Sequence, residues 1–259
     1  MGSLSNYLEL KLLDHTFGVA THTSPTSVYL ALLKVDPSEE GNITEAAYGA
    51  YARQAITFGA AASRAITQSG TVTFPKATSG NETITHWGVF DASSAGNMLA
   101  YGALTIEKQI TTNNTPSVAS GQAVITFNTG GVSTYLANKL LDFAFRNQAF
   151  TSPSIYVGLA TATLSDATTG STVTEPAGGS YARLLHSGWA AASAGANSNS
   201  TAITLTAASA SWGIVVSGFS ADAITAGNIL TYDNAIADQA VGDGDTVSFP
   251  IGNWTNSID

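Results

Sequence analysis

Apolar residues fall at helical spacing in one short stretch of each half of the chain and at alternating spacing almost everywhere else. In SNYLELKLLDHTF, residues 5–17, Leu8 and Leu12 share a face with Leu4 and Tyr7, the spacing of an amphipathic helix. Ser5 stands where an N-cap belongs and Gly18 where a glycine ends a helix, so about three turns are predicted. The runs that follow, SVYLALLKV, RQAITFG, GTVTFP, TITHWGVFDA and AVITF, alternate or are rich in β-branched residues, with Gly, Asn, Ser and Pro between them. SIYVGLAT, TAITLTA, SWGIVVSGFSA and DTVSFPIG continue the pattern in the second half. Many short strands joined by polar turns predict a mainly β protein, an antiparallel sandwich or barrel-like sheet carrying a helix at one end.

The pattern is written twice. SNYLELKLLDHTF is answered by STYLANKLLDFAF from Ser133, with Tyr7, Leu8, Leu12, Leu13, Asp14 and Phe17 recurring 128 positions later. Ser-Pro turns at Ser24 and Ser152 lead into SVYLAL and SIYVGL. Glu45, Tyr51 and Arg53 are matched by Glu175, Tyr181 and Arg183, 130 positions on, across a glycine-bearing stretch. Further on, Trp87-Gly88 aligns with Trp212-Gly213, GNMLAY with GNILTY, and AVITF with TVSFP, at offsets drifting between 122 and 131. Phe90-Asp91 then has no evident counterpart after Trp212-Gly213. The expectation is a tandem duplication: two β-sandwich-like domains, residues 1–128 and 131–259, each preceded by one short helix, with Asn128 to Gly131 as a flexible joint.

Composition narrows the role. Of 259 residues only 10% are charged and the net charge is −9, with the few bases scattered, which disfavours nucleic acid and anionic membranes as partners. There is no cysteine, hence no disulfide framework and no thiol nucleophile. The first residues lack a basic region leading into an apolar run, and no stretch has the length of a membrane span. Asn6 breaks a myristoylation pattern. A chain with no export signal but a surface of Thr, Ser, Asn, Ala and Gly suits a virus particle, assembled inside a cell and exposed outside it.

Catalytic patterns are absent from the string. His15, His22, His86 and His186 form no metal-ligand spacing, and no nucleophile elbow or phosphate-binding loop occurs. Asp238, Asp243 and Asp245 lie in an Asp-Gly context that reads as a turn, with a cation site as the lesser reading. Glu45 with Arg53 and Glu175 with Arg183 read as structural ion pairs that fix a loop. Trp87 and Trp212 lie in strand-like runs and read as core anchors ahead of a sugar platform. No catalytic, cofactor-binding or metal residue is assigned.

Taken in order, Tyr-Leu-x-x-x-Leu-Leu-Asp-His, the Tyr-Leu-Ala-Leu after Ser-Pro, Glu then Tyr-Ala-Arg-Gln, Thr-Phe-Pro, Trp-Gly-Val-Phe-Asp-Ala and Gly-Asn-Met-Leu-Ala-Tyr-Gly resemble a family of small structural proteins of tailed bacteriophages, often labelled tail-fibre or minor virion proteins. The resemblance covers residues 4 to 127 and, in worn form, 133 to 250, where Phe143 replaces His15 and Leu184 replaces Gln54. It implies a non-enzymatic virion component built on a β-sandwich and carries over no catalytic residue. The resulting expectation is an exterior structural protein, a head decoration or a neck or tail component, assembled in the host cytoplasm. Its partners would be capsid, neck or tail subunits and further copies of itself in a symmetric array. The rival readings are a tail-fibre or receptor-binding module, a carbohydrate-binding module and a hydrolase.

Overall fold

A computed structural model describes residues 2–258. The first repeat contains β1 (Gly2–Leu4), α1 (Asn6–Thr16), β2 (Val28–Leu33), β3 (Gln54–Phe58), β4 (Ala65–Ser69), β5 (Val72–Thr73), β6 (Asn81–Phe90), β7 (Met98–Thr111), β8 (Ser117–Val118) and β9 (Val124–Thr126). Seven of these strands close a barrel in the order β1-β7-β6-β2-β3-β4-β9. The expected sandwich is therefore corrected to a barrel. Closure depends on β1, three residues that alternation cannot reveal. Gly2 pairs antiparallel with Gly102 on one side and parallel with Ile125 on the other. The Trp87 ring lies where a Cβ on Gly2 or Gly102 would go, so glycine is required at both.

The second repeat contains α2 (Thr134–Arg146), β10 (Tyr156–Ala160), β11 (Leu184–Leu185), β12 (Ala196–Ser198), β13 (Ile203–Thr204), β14 (Gly213–Val215), β15 (Ser217–Ala221), β16 (Ile229–Asp233), β17 (Gln239–Val241), β18 (Ser248–Phe249) and β19 (Thr255–Ser257). Its pairings follow those of the first repeat but are broken into a four-stranded sheet, β11-β10-β15-β16, and two-stranded ribbons. Val132 bridges Thr231 as Leu4 pairs with Ala100, yet among the described residues nothing joins this segment to β19. The interior explains the fraying. Where β4 and β9 set Ile66 against Ile125, β12 and β19 set Asn197 against Asn256. Ser220, Thr231, Asn256 and Asn197 form a buried hydrogen-bonded chain, with links of 2.6, 2.6 and 3.0 Å. Side-chain amides and hydroxyls replace apolar packing there, and the chain ends on the Asn197 amide nitrogen, which is buried with no hydrogen-bond partner.

Register also corrects the alignment of the repeats. β12 with β19 and β4 with β9 are equivalent pairs, so AVITF matches WTNSI, and Trp254 occupies the place of Ala123. Trp87 corresponds to Gly218, over which the Trp254 ring lies. Trp87 and Trp212 are thus not counterparts: the interior of each repeat holds one large ring at this level, and the two repeats supply it from different strands. Local strings of similar composition misled the alignment because an alternating pattern looks alike at neighbouring registers.

Helices start alike. Ser5 Oγ accepts the Leu8 N–H at 3.3 Å and donates to the Met98 carbonyl at 2.5 Å. Ser133 Oγ accepts the Leu136 N–H at 3.1 Å and donates to the Ile229 carbonyl at 2.6 Å. Each cap therefore also ties its helix to a strand. α1 packs on β7 of its own repeat and on β12 of the other, and α2 packs on β16 and on β3 and β4 of the other. The contacts are reciprocal. Asp14 Oδ1 accepts the Ala192 N–H at 2.7 Å, while Asp142 Oδ1 accepts the Ala61 N–H at 2.9 Å. Phe17 meets Trp189 edge-on at 4.8 Å, and Phe145 meets Phe58 at 5.4 Å. His15 and its equivalent Phe143 stack on each other at 4.8 Å, which places them on an approximate two-fold axis. One apolar core runs through both repeats.

The expected flexible joint is tied down. Arg64, 6% exposed, donates to the carbonyls of Asn128 and Val132 and faces Asp166 at 3.5 Å. Gly130 N–H reaches Asp166 Oδ1 at 3.0 Å, and the Gly131 carbonyl accepts the Tyr232 N–H at 2.7 Å. Because the core and these ties are shared, urea unfolding monitored by tryptophan fluorescence and circular dichroism is expected to show one transition. Asp14→Ala and Asp142→Ala should each lower its stability by about 1–3 kcal/mol. Two separated transitions, with each substitution moving only one, would contradict the shared core.

Candidate functional site

The repeated glutamate, tyrosine and arginine build the same clamp twice. Glu45, in the segment between β2 and β3, bridges Leu33 at the end of β2, and Arg53 immediately precedes β3. Tyr51 turns its ring toward Phe74, while its hydroxyl accepts the Leu32 N–H at 3.1 Å and donates to Glu45 Oε2 at 2.9 Å. Tyr181 does the same with Leu159 N–H and Glu175 Oε2, both at 2.8 Å. Burial is the main reason that both phenols are pushed far above the usual tyrosine range. They are neutral donors at any ordinary pH.

Arg53 presents its fork to Glu45, with Nε 3.1 Å and Nη2 2.5 Å from Oε1. Arg183 holds Glu175 at 3.2 and 2.7 Å and adds the Gly170 carbonyl at 2.9 Å. The remaining nitrogen of each arginine reaches a loop about 40 residues further along the chain. Arg53 Nη1 donates to the Ala92 and Ala95 carbonyls at 2.9 and 2.7 Å, and Arg183 Nη1 to those of Ala223 and Ala226 at 2.8 and 2.7 Å. The guanidinium of Arg53 sits 3.5 Å above the Phe90 ring, and that of Arg183 5.1 Å from Phe219. These two rings come from strand positions two residues apart, a spacing that returns to the same face.

What the arginines hold is a loop that the sequence reading missed. Asp91 Oδ1 accepts the Asn97 N–H at 2.7 Å and Oδ2 its side-chain amide at 2.8 Å. Asp222 and Asn228 repeat both bonds at 2.7 Å. Asp91 therefore has a counterpart, Asp222. The visible signal was Asp-Ala-x-x-Ala-Gly-Asn, present at 91–97 and 222–228. Ala95 and Gly96, like Ala226 and Gly227, take consecutive left-handed conformations, and a Cβ on either glycine would run into the aspartate. The outer positions, Ser93 and Ser94 in one loop and Ile224 and Thr225 in the other, face solvent or its edge. Chemically the clamps are closed circuits: every carboxylate oxygen is engaged, the phenols are neutral and the guanidiniums permanently charged. They position loops and leave no group to carry a proton.

The other singled-out residues are dispersed. His15 and His22 lie in the contact between repeats, with the His22 N–H donating to His15 Nδ1 at 3.1 Å and His15 Nε2 bonded to the Phe150 carbonyl at 2.8 Å. His86 stands 3.9 Å from Asp36, and His186 packs edge-on against Trp189. Among the described residues no group of three or more His, Asp or Glu could hold a metal. Trp87 and Trp212 are each 3% exposed. Asp245 accepts the Gly242 N–H at 2.7 Å, closing the turn that Asp243-Gly244 forms. No helix among the described residues is long and apolar enough to cross a membrane.

A β fold written twice, closed into a barrel in the first repeat and broken open in the second, with its saturated ion pairs spent on holding loops, defines a duplicated structural protein. The chain belongs to the family described as Podophage GP4 fiber I protein gp80, which it matches over residues 3–126 and again over 131–257. The duplication and the bacteriophage kinship are thereby shown together. Comparison with curated proteins finds no match.

Two expectations follow from the site. Arg183→Ala removes a guanidinium that is 1% exposed and strands Glu175 and three carbonyls, so it should cost about 2–4 kcal/mol in urea unfolding. Arg53→Ala, whose side chain is 7% exposed, should cost somewhat less. The second concerns pH. Burial, followed by the neighbouring His15 and Lys11, lowers the pKa of His22, and burial lowers that of His186. The unfolded chain then binds protons more readily, so stability falls as pH drops below the ordinary histidine value of about 6.5 and levels off below the depressed folded values. Replacing both by their repeat equivalents, His22→Phe and His186→Ile, should flatten the midpoint between pH 7.5 and 5.5.

Proposed function

We propose that the protein is a non-enzymatic structural component of a tailed-phage fibre, on the exterior of the virion. In this reading residues 1–128 and 131–259 act as two domains of one body that binds other virion subunits. Assembly in the host cytoplasm fits the same role. The observation that carries the proposal is the paired clamp: two homologous loops, 91–97 and 222–228, are each anchored by two hydrogen bonds from a buried arginine side chain. Loops fixed on a stiff scaffold are contact elements, because little conformational entropy is lost when they bind. The family name adds the fibre, and the net charge of −9 disfavours a nucleic-acid partner. Burial of Trp87 and Trp212 removes the flat aromatic platform on which the carbohydrate-binding reading relied.

A head decoration or neck position is the second reading, favoured by two globular units in tandem and no shaft-like repeat. Quantitative mass spectrometry of purified particles, with labelled antibody seen by electron microscopy, tests both. The fibre reading expects a few copies to a few tens, label at the fibre, and loss of adsorption in particles lacking the protein. Hundreds of copies on the head would replace it with the decoration role. Absence from the particle would overturn both.

A further inference from the structure

The two repeats differ in what they turn outward at one homologous ribbon. In the first repeat the ribbon joins β6 and β7, and in the second β14 and β17. Thr83 of the first is replaced by Ile214 of the second, which is 56% exposed. Ile214 pairs with Ala240, and Asp238 stands at the same end of the ribbon, exposed and engaged in no ion pair among the described residues.

The first repeat carries the complement. Between Ala103 and Lys108 four residues bulge out of β7 opposite Thr85, and beside them the barrel mouth holds a cavity of about 570 Å³. Leu32, Ile84, Leu104, Ile110 and Val118 line it, with Lys108 among its walls. Lys108 is exposed and likewise has no ion pair among the described residues. All of the lining lies between residues 32 and 122, so the second repeat's ribbon does not enter it.

We infer that copies of this chain associate head to tail, the Ile214 ribbon of one seated in the barrel-mouth cavity of the next with Asp238 against Lys108. Apolar surface meets apolar surface, and the Asp238 carboxylate near the knob meets Lys108, the only charged residue that lines the hole. Knob and hole lie on different repeats, so the contact is heterologous and leaves a free knob and a free hole at the two ends, the geometry of a ring or a filament. Because Thr83 replaces the knob in the first repeat, the series has a direction. The inference rests on the contact role proposed above and specifies one partner, a second copy.

Sedimentation velocity of the full chain over a range of concentrations tests it. Reversible self-association is expected, weakened about tenfold or more by Ile214→Thr, the loss that follows from no longer burying an isoleucine. Lys108→Glu should weaken it as well, and combining Lys108→Glu with Asp238→Lys should restore it. All three positions are exposed, so thermal melts should be unchanged. A monomer at every concentration, an oligomer indifferent to these substitutions, or a charge swap that restores nothing would overturn the inference. Any of these would leave the virion role standing, because that is decided separately by antibody label on particles.

Discussion

A helix of three turns is marginal in water, since few backbone bonds offset the ordering of its residues. α1 and α2 are both of this kind, and each gains its stability by lying between two sheets that belong to different repeats. The reciprocal bonds from Asp14 to Ala192 and from Asp142 to Ala61 fix the depth at which each helix sits. The aromatic pairs Phe17 with Trp189 and Phe145 with Phe58 fill the remaining space. The rest follows from this shared burial: the core cannot be divided between the repeats, and the connection through residues 128–132 has to be held by Arg64.

Once the repeats are locked together, each position of the axis can be occupied differently in the two copies. His15 opposes Phe143, and His22 stands where the second repeat has Phe150, so a polar pair and an apolar pair share one site. Inside the repeats the same freedom appears as exchange of volume. Trp87 over Gly2 and Gly102 in one repeat becomes Trp254 over Gly218 in the other. A core demands filled space at a given level and is indifferent to the strand that supplies it. The clamps show the opposite behaviour. Glutamate, tyrosine, arginine, aspartate and asparagine all recur in place, because a bidentate fork and an Asx-bonded loop admit few substitutes.

The sequence by itself determined the duplication, the two capped helices, the β character and the pairing of Glu45 with Arg53 and Glu175 with Arg183. Each of these is local or lies within one loop, where spacing and residue chemistry act directly. Asp-Ala-x-x-Ala-Gly-Asn was equally visible, yet its link to the arginines was not, since the partners meet across 39 to 43 residues of chain. Only the tertiary structure decided that the sheet closes into a barrel, because closure hangs on Gly2–Leu4 pairing with strands about 100 residues away. It also decided which tryptophan answers which. An alternating pattern states which face a side chain takes and says nothing about the strand opposite, and that choice is made by volume and hydrogen bonding in the assembled core.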